Sequence, residues 1–132
     1  MLFEAVFGNN DGERTGLKQA YSDLCILEDF KEFNINGRKI AVIHGHQDKI
    51  TSALASCGHY DVLIRAHSHE SYSSRGFENK HSPKNLNNLK TRNKETKTIV
   101  LNPGETCGYL TGHQTVVIMD SNDLEFYLIE LP

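Results

Sequence analysis

Apolar and polar residues alternate along the chain in blocks that predict a mixture of strands and helices. Residues 2–7 (LFEAVF) form a short apolar strand candidate that ends in the turn-forming sequence GNNDGE. A short helix is predicted at about residues 13–21. Between residues 25 and 46, the pair Asn36-Gly37 separates an alternating stretch from the apolar run KIAVI, which is the pattern of a β-hairpin with a type I′ turn.

The middle of the chain has the pattern of a parallel crossover. A second helix is predicted at residues 47–57, and its apolar residues share one face: Ile50, Ala53, Leu54 and Cys57. Gly58 suits the position after the helix end, and the strand candidate YDVLIRA follows. Because a strand–helix–strand unit places two parallel strands that finish at the same sheet edge, we expect His44 and His67 to lie side by side.

The second half of the chain begins with a polar segment. Residues 70–98 are rich in Ser, Asn and Lys and show little periodicity, so we expect a basic, loop-like insertion there. Three strand candidates follow: KTIVL, TVVIMD and LEFYLIEL. Their close spacing predicts an antiparallel meander packed against the first sheet. Together these patterns predict an α/β fold in a single domain that comprises residues 1–132.

The net charge of −3 is unevenly distributed. Residues 71–98 contain seven of the fourteen Lys and Arg residues and only two acidic ones, so this segment is +5 and the remainder is −8. An acidic body is a poor general binder of polyanions, so only the basic segment is a candidate for contact with nucleic acid or another phosphate-rich partner. A solvated loop is the simpler interpretation of this segment.

The cysteines and the hydropathy of the chain indicate its cellular location. Cys25, Cys57 and Cys107 are widely spaced and contain no C-x-x-C pair, which favours neither a disulfide framework nor a zinc ribbon. No apolar run approaches the roughly 20 residues that a membrane span needs, and the N-terminus lacks a signal-peptide pattern. We therefore expect a soluble, cytoplasmic protein with no membrane partner.

Side chains that bind metals follow three of the predicted strands. In chain order they are Asn9 and Asp11, then His44 and His46, then His67 and His69. Ligands in open α/β sheets gather at the carboxyl ends of strands. Imidazole nitrogens with amide or carboxylate oxygens favour Mn, Fe, Zn, Ni or Co over Ca or Mg. The grouping predicts a transition-metal site, whereas three further histidines are expected to be ordinary surface or hydrogen-bonded residues: His59, His81 and His113.

Four motifs, in this order, resemble the calcineurin-like metallophosphoesterases. They are GNND (8–11), HGH (44–46), AHSH (66–69) and NPGE (102–105). The likeness is closest to the small archaeal and bacterial phosphodiesterases and spans nearly the whole chain. The resemblance implies two packed mixed β-sheets flanked by helices, with two metal ions at the strand ends.

The resemblance also implies roles for individual residues. Asn9, His44 and His67 correspond to ligands of one metal, and His69 to a ligand of the other. Two divalent transition metals (Mn, Ni, Fe, Co or Zn) would activate a hydroxide that attacks phosphorus. Asn9 and His67 are the candidate catalytic residues, and Asn9 and Asn10 are the candidate contacts to a phosphodiester small molecule or nucleotide. Because the amide of Asn10 cannot act as a general acid, diesters with good leaving groups are the expected substrates.

Two motifs of the resembling family are missing from this sequence. Such relatives begin with a strand ending in D-x-H and later carry a Gly-Asp turn. Without the bridging carboxylate, the second metal site is expected to be incomplete and the activity of this chain weak or absent. We expect an N-terminally truncated domain or, alternatively, a genuine split or degenerate paralogue. An uncovered strand edge would favour homo-oligomers or association with a missing N-terminal segment.

A different function class remains open. A eukaryotic retromer subunit is similar to these phosphoesterases but serves as a protein-binding surface. The alternative hypothesis is therefore a non-catalytic scaffold on a phosphoesterase fold.

Overall fold

The computed structural model describes residues 3–78 and 98–132. Within these ranges the chain forms two helices and seven strands: α1 (Arg14–Ala20), β1 (Phe30–Ile35), β2 (Arg38–Ile43), α2 (Asp48–Ser56), β3 (Val62–Ile64), β4 (Ser71–Ser73), β5 (Ile99–Pro103), β6 (Thr115–Asp120) and β7 (Glu125–Glu130). In this part of the chain, no helix is long and apolar enough to cross a lipid bilayer.

Five strands form one mixed sheet in the order β1-β2-β3-β5-β4. β1 and β2 are an antiparallel hairpin, and Asn36 and Gly37 at its turn have φ values of 51° and 76°. Positive φ at both central residues confirms the predicted type I′ turn. β2, β3 and β5 run parallel to one another, whereas β4 returns antiparallel to β5. The carboxyl ends of the three parallel strands therefore share one edge of the sheet.

The crossover between β2 and β3 contains α2, as predicted. Gly58 follows the end of this helix with φ +71°, a left-handed conformation that glycine adopts without a Cβ penalty. Only Thr51 of α2 is buried, and Ile50 keeps 47% of its surface exposed. The apolar face predicted for α2 is thus only partly covered by the described residues.

The second sheet is the antiparallel hairpin of β6 and β7. Its inward-facing side chains join those of the large sheet in one core cluster: Ile40, Val62, Leu101, Leu124 and Phe126. Fully burying a side chain of this size contributes about 1.5–3 kcal/mol, so this cluster is what holds the sheets together. The α/β fold class, with two packed sheets and flanking helices, is confirmed. The large sheet is mixed and the small one is purely antiparallel.

Two strand predictions were wrong. β5 does not belong to an antiparallel meander: it pairs parallel with β3, and of the last three strands only β6 and β7 form a hairpin. Parallel pairing is possible because the chain between β3 and β5 is long enough to cross over. Residues 3–7 do not form a strand and make a single parallel bridge, between Val6 and Glu28. One bridge without neighbouring hydrogen-bonded pairs does not build a ladder.

β4 lies at the start of the segment that was predicted to be an insertion. Ser71–Ser73 pair with β5, and the backbone N–H of Glu78 donates to the carbonyl of Phe126 at 2.9 Å. The first residues of this segment are therefore part of the fold. Residues 79–97, which include His81, lie outside the described residues, so the basic, loop-like insertion remains a prediction there.

Gly104 lies where β5 meets β6, and it provides a test of this packing. Its φ is +84°, and a Cβ built there would lie 2.1 Å from Oγ1 of Thr115 and 3.3 Å from Cβ of Ser71. Gly104→Ala should lower the free energy of unfolding by roughly 3 kcal/mol, because left-handed strain adds to overpacking. Chemical denaturation measures this loss.

Gly58→Ala is the matched control. Gly58 has a similar φ of +71°, but a Cβ there would meet nothing within 4 Å. We expect a loss of about 1 kcal/mol from backbone strain alone. Equal losses in the two variants would show that the close approach to Thr115 has no energetic weight.

Candidate functional site

Two histidines follow neighbouring parallel strands and meet at the sheet edge. His44 comes directly after β2, and His67 comes three residues after the end of β3. The backbone N–H of Ala66 donates to the carbonyl of His44 at 2.9 Å, which extends the pairing of the two strands to the site. The two imidazole centroids are 5.2 Å apart. The predicted side-by-side placement of His44 and His67 is confirmed.

Asn9 reaches the same place from the N-terminal loop. Its Oδ1 lies 2.6 Å from Nε2 of His44, and its Nδ2 donates to Oδ1 of Asn10 at 3.4 Å. The loop is shaped by Asp11, whose carboxylate accepts the backbone N–H of Gly8 at 2.6 Å. Asn9 and His44 are thus brought together as predicted, whereas Asp11 is used to fold the loop.

His46 is a third imidazole in this cluster. Its centroid is 5.5 Å from that of His44 and 6.2 Å from that of His67, and its side chain is exposed. Gly45, with φ +97°, turns the chain between the two histidines of HGH. His46 belongs to the predicted grouping of metal-binding side chains, but the family resemblance gave it no ligand role.

The charge state of His44 follows from this crowding. Partial burial lowers the pKa of His44, and the neighbouring imidazoles of His67 and His46 lower it further. His44 therefore favours its neutral form, which is the form that binds metals.

His69 makes a different contact from the other predicted ligands. Its Nδ1 lies 2.8 Å from Oε2 of Glu105, whose side chain is only 4% exposed. The backbones of His67 and His69 are both left-handed, with φ of 70° and 64°. Left-handed conformations cost non-glycine residues on the order of 1–3 kcal/mol, and such strain is concentrated at functional sites.

Glu105 organises the loop after β5, and no role was predicted for it. Its Oε1 accepts hydrogen bonds from the backbone N–H groups of Leu110 and Thr111, at 2.8 and 2.6 Å, and from the Thr111 hydroxyl at 2.9 Å. The backbone N–H of Thr111 is the largest cause that lowers the pKa of Glu105 to about 2, and His69 adds to the effect. The NPGE motif was visible in the sequence, but its carboxylate acquires partners only through the fold.

A cleft of about 650 Å³ opens beside His44 and His46. One wall comes from α2, through Ile50 and Leu54. The rest of the lining is mainly apolar or aromatic, with one ion pair at its side: Phe7, Phe30, Ile43, Tyr60, and Arg14 bound to Asp29 at 2.7 Å. The cleft is the reason why α2 is incompletely covered.

A model of the calcineurin-like phosphoesterase superfamily domain matches residues 2–124. The chain belongs to the calcineurin-like phosphoesterase superfamily. The predicted resemblance is therefore confirmed, including its small archaeal and bacterial branch.

Relatives of this phosphoesterase domain include characterised diesterases. Phosphodiesterase MJ0936 of Methanocaldococcus jannaschii is 36% identical over 130 residues, which are 96% of this chain and 67% of that protein. A solved archaeal phosphodiesterase is 35% identical with a TM-score of 0.73, over 96% of this chain and 67% of its own. Vps29 of Entamoeba histolytica, at 15% identity and a TM-score of 0.56 over 96% and 68% of the two chains, shares the fold. The two phosphodiesterases, at 35–36% identity, support phosphoesterase activity.

Members of this superfamily generally use divalent metals. The charge and placement of the side-chain donors determine whether this phosphoesterase domain can bind such ions. Asn9, His44 and His67 lie close together, but all three are neutral donors. Within residues 3–78 and 98–132, no group of three His, Cys, Asp or Glu side chains is placed to hold a metal ion. Glu105 binds a loop and His69. The residues described here therefore do not complete a site for two divalent metals.

The low pKa of Glu105 predicts a specific loss of stability in acid. A carboxylate with a depressed pKa contributes stability that is fully present above its ordinary value of 4.5 and is lost as the pH falls from there to about 2. Glu105→Gln should destabilise the phosphoesterase domain at neutral pH. The difference in unfolding free energy from the wild type should shrink across this range. Denaturant titrations at a series of pH values measure it.

Glu130→Gln is the control for this acid effect. Glu130 also pairs with a histidine, His113, at 2.8 Å, but both side chains are exposed. We expect little loss of stability in this variant, since exposed pairs contribute about 0–1 kcal/mol. A destabilisation by Glu105→Gln that stayed constant down to pH 2 would contradict the assignment.

Proposed function

We propose that the protein is a divalent-metal-dependent phosphodiesterase domain and that this chain supplies the uncharged ligands of the metal site. The cluster of Asn9, His44 and His67 at parallel strand ends is the observation that carries this proposal. It is supported by 36% identity to a phosphodiesterase. Mn and Ni are the proposed metals, with Fe, Co or Zn as further candidates, because imidazole and amide donors suit them.

The reaction we propose is hydrolysis of a phosphodiester. Divalent metals, if held by Asn9, His44, His67 and His69, would supply an activated water and neutralise the phosphoryl oxygens. In this chain, His44 is held neutral by its surroundings and Asn9 is oriented by its hydrogen bond to His44. The exposed amides of Asn9 and Asn10 are proposed to contact the substrate phosphate. Asn10 cannot protonate a leaving group, so we propose diesters with good leaving groups, as small molecules or nucleotides.

The proposed donors Asn9, His44 and His67 carry no negative charge. A dication held by neutral donors alone has no charge compensation, and burial of an uncompensated charge is costly. Relatives at 35–36% identity extend beyond the matched part, which is 67% of their length. We propose that the additional ligands lie in a segment outside this chain. The cleft beside His44 and His46 is the proposed seat of that segment, since its apolar wall on α2 is uncovered.

A protein-binding scaffold is the second candidate. The outward face of the β6–β7 hairpin exposes three large apolar side chains, Ile118, Tyr127 and Ile129. A contiguous exposed apolar patch is typical of a protein interface. It would also serve in a homo-oligomer. The scaffold function would be favoured if no carboxylate-bearing segment completes the metal site.

The cysteines and the basic segment support two further proposals, on cellular location and on nucleic-acid contact. Cys25, Cys57 and Cys107 are free thiols, which is typical of a reducing compartment, and we propose the cytoplasm. The basic residues between 79 and 97 remain a weakly supported contact for nucleic acid.

A chimera tests the phosphodiesterase proposal. The part of phosphodiesterase MJ0936 that has no counterpart here is joined to the 132-residue chain. We expect the chain alone to be weak or inactive. The chimera should hydrolyse bis(p-nitrophenyl) phosphate with added Mn or Ni, because the carboxylates complete the site. Release of p-nitrophenolate measures the rate.

Histidine variants of the chimera control for the site. His67→Ala should abolish hydrolysis. His59→Ala should leave it unchanged, since His59 is exposed and its ring makes an edge-to-face contact with Tyr60. A well-folded chimera that stayed inactive with Mn, Ni, Co and Zn would sink the enzymatic proposal and favour the scaffold.

A further inference from the structure

His69 and the buried Glu105 form a pair that the proposed reaction does not yet use. Nδ1 of His69 lies 2.8 Å from Oε2 of Glu105, and the Glu105 side chain is 4% exposed whereas that of His69 is 39% exposed. One nitrogen of the imidazole is thus tied to the interior. The side chain as a whole is only partly exposed.

The hydrogen bonds of Glu105 fix which proton the imidazole keeps. A carboxylate can only accept, so Nδ1 of His69 must be the donor in this contact. In a neutral imidazole the proton on Nδ1 leaves Nε2 unprotonated, with its lone pair available. The fold therefore favours one tautomer of His69.

The two oxygens of Glu105 are not equivalent. Oε1 accepts three hydrogen bonds, from the backbone of Leu110, the backbone of Thr111 and the Thr111 hydroxyl. Oε2 accepts from His69 and has a longer contact of 3.5 Å to Sγ of Cys107. The loop from 105 to 111 thus clamps one oxygen and aims the other at His69.

We propose that Glu105 is a positioning residue that holds His69 in the Nδ1–H tautomer, so that the unprotonated Nε2 is presented to the site as a Lewis base. The lone pair of Nε2 accepts a proton or binds a cation, and the neutral ring has no proton on Nε2 to donate as a general acid. This inference rests on the proposed function for its role in catalysis, but the tautomer itself is a property of the folded chain. It agrees with the choice of substrates that need no protonated leaving group.

The pair of His113 and Glu130 shows why an exposed surface contact does not fix a histidine tautomer. The nitrogen–oxygen distance is the same, 2.8 Å, but both side chains are exposed, 60% and 46%. Neither oxygen of Glu130 is held by a loop of backbone donors in the described residues. Water can replace either partner there, so the tautomer of His113 is not locked.

Substitution of Glu105 by Gln makes the proposal testable. The position of Oε1 faces three donors, so the amide oxygen of Gln must occupy it. The amide NH₂ then faces Nδ1 of His69 and donates to it. Glu105→Gln should therefore invert the tautomer and place the proton on Nε2, while the loop keeps its hydrogen bonds.

Long-range ¹H–¹⁵N correlation of the histidine side chains reads the tautomer in the metal-free 132-residue chain. The pH is set about two units above the ordinary histidine pKa of roughly 6.5, so that neutral rings are observed. In the wild type, Nδ1 of His69 should have the shift of a protonated nitrogen and Nε2 that of an unprotonated one. In Glu105→Gln these two shifts should exchange. Glu130→Gln should leave His69 unchanged.

Each outcome decides the proposal. A protonated Nε2 of His69 in the wild type would overturn it, and this reading needs no variant to fold. An unchanged tautomer in a folded Glu105→Gln, judged by the amide spectrum of β6, would overturn it as well. Because metal and substrate are absent, failure of the phosphodiesterase proposal would show in the hydrolysis assay and not in these shifts.

Discussion

Parallel pairing of β2, β3 and β5 is the constraint on which the site depends. The registers Ala41 to Leu63 and Leu63 to Val100 align the three strands so that their carboxyl ends open at one edge. Asn102, which is 2% exposed, completes this edge. It donates to the carbonyl of Ala66 at 3.2 Å and to the hydroxyl of Ser68 at 2.9 Å, and it accepts the N–H of Gly104. The loop that carries His67 and His69 is therefore attached directly to the end of β5.

The two halves of this sheet edge differ in charge. On one side, imidazoles and one amide gather beside Asp11, whose carboxylate accepts a backbone N–H of its own loop, and partial burial followed by the neighbouring imidazoles lowers the pKa of His44. On the other side, Glu105 is fully used in hydrogen bonds to its own loop and to His69. A neutral cluster beside an uncovered apolar cleft agrees with the proposal that part of the ligand set comes from another segment. The fold is thus sufficient to place ligands but not to balance the charge of a metal.

Much of the site could be predicted from the sequence because it depends on local patterns. Asn36-Gly37 predicts its hairpin by backbone preference, and the strand–helix–strand order predicts that His44 and His67 meet. The partners of β5 could not be predicted, since a short apolar strand carries no information about parallel or antiparallel pairing. The role of Glu105 was also invisible. Its donors at residues 110 and 111 reach it only through a loop whose shape the fold determines.

The most direct test of the central claim is a Mn²⁺ titration of the 132-residue chain, in which electron paramagnetic resonance measures the free hydrated ion. A neutral donor set should bind Mn²⁺ weakly, so that free ion is seen well before one equivalent is added, and His67→Ala should weaken binding further. Stoichiometric capture of Mn²⁺ at one equivalent, unchanged by His67→Ala, would contradict the claim that this edge is a charge-deficient metal site.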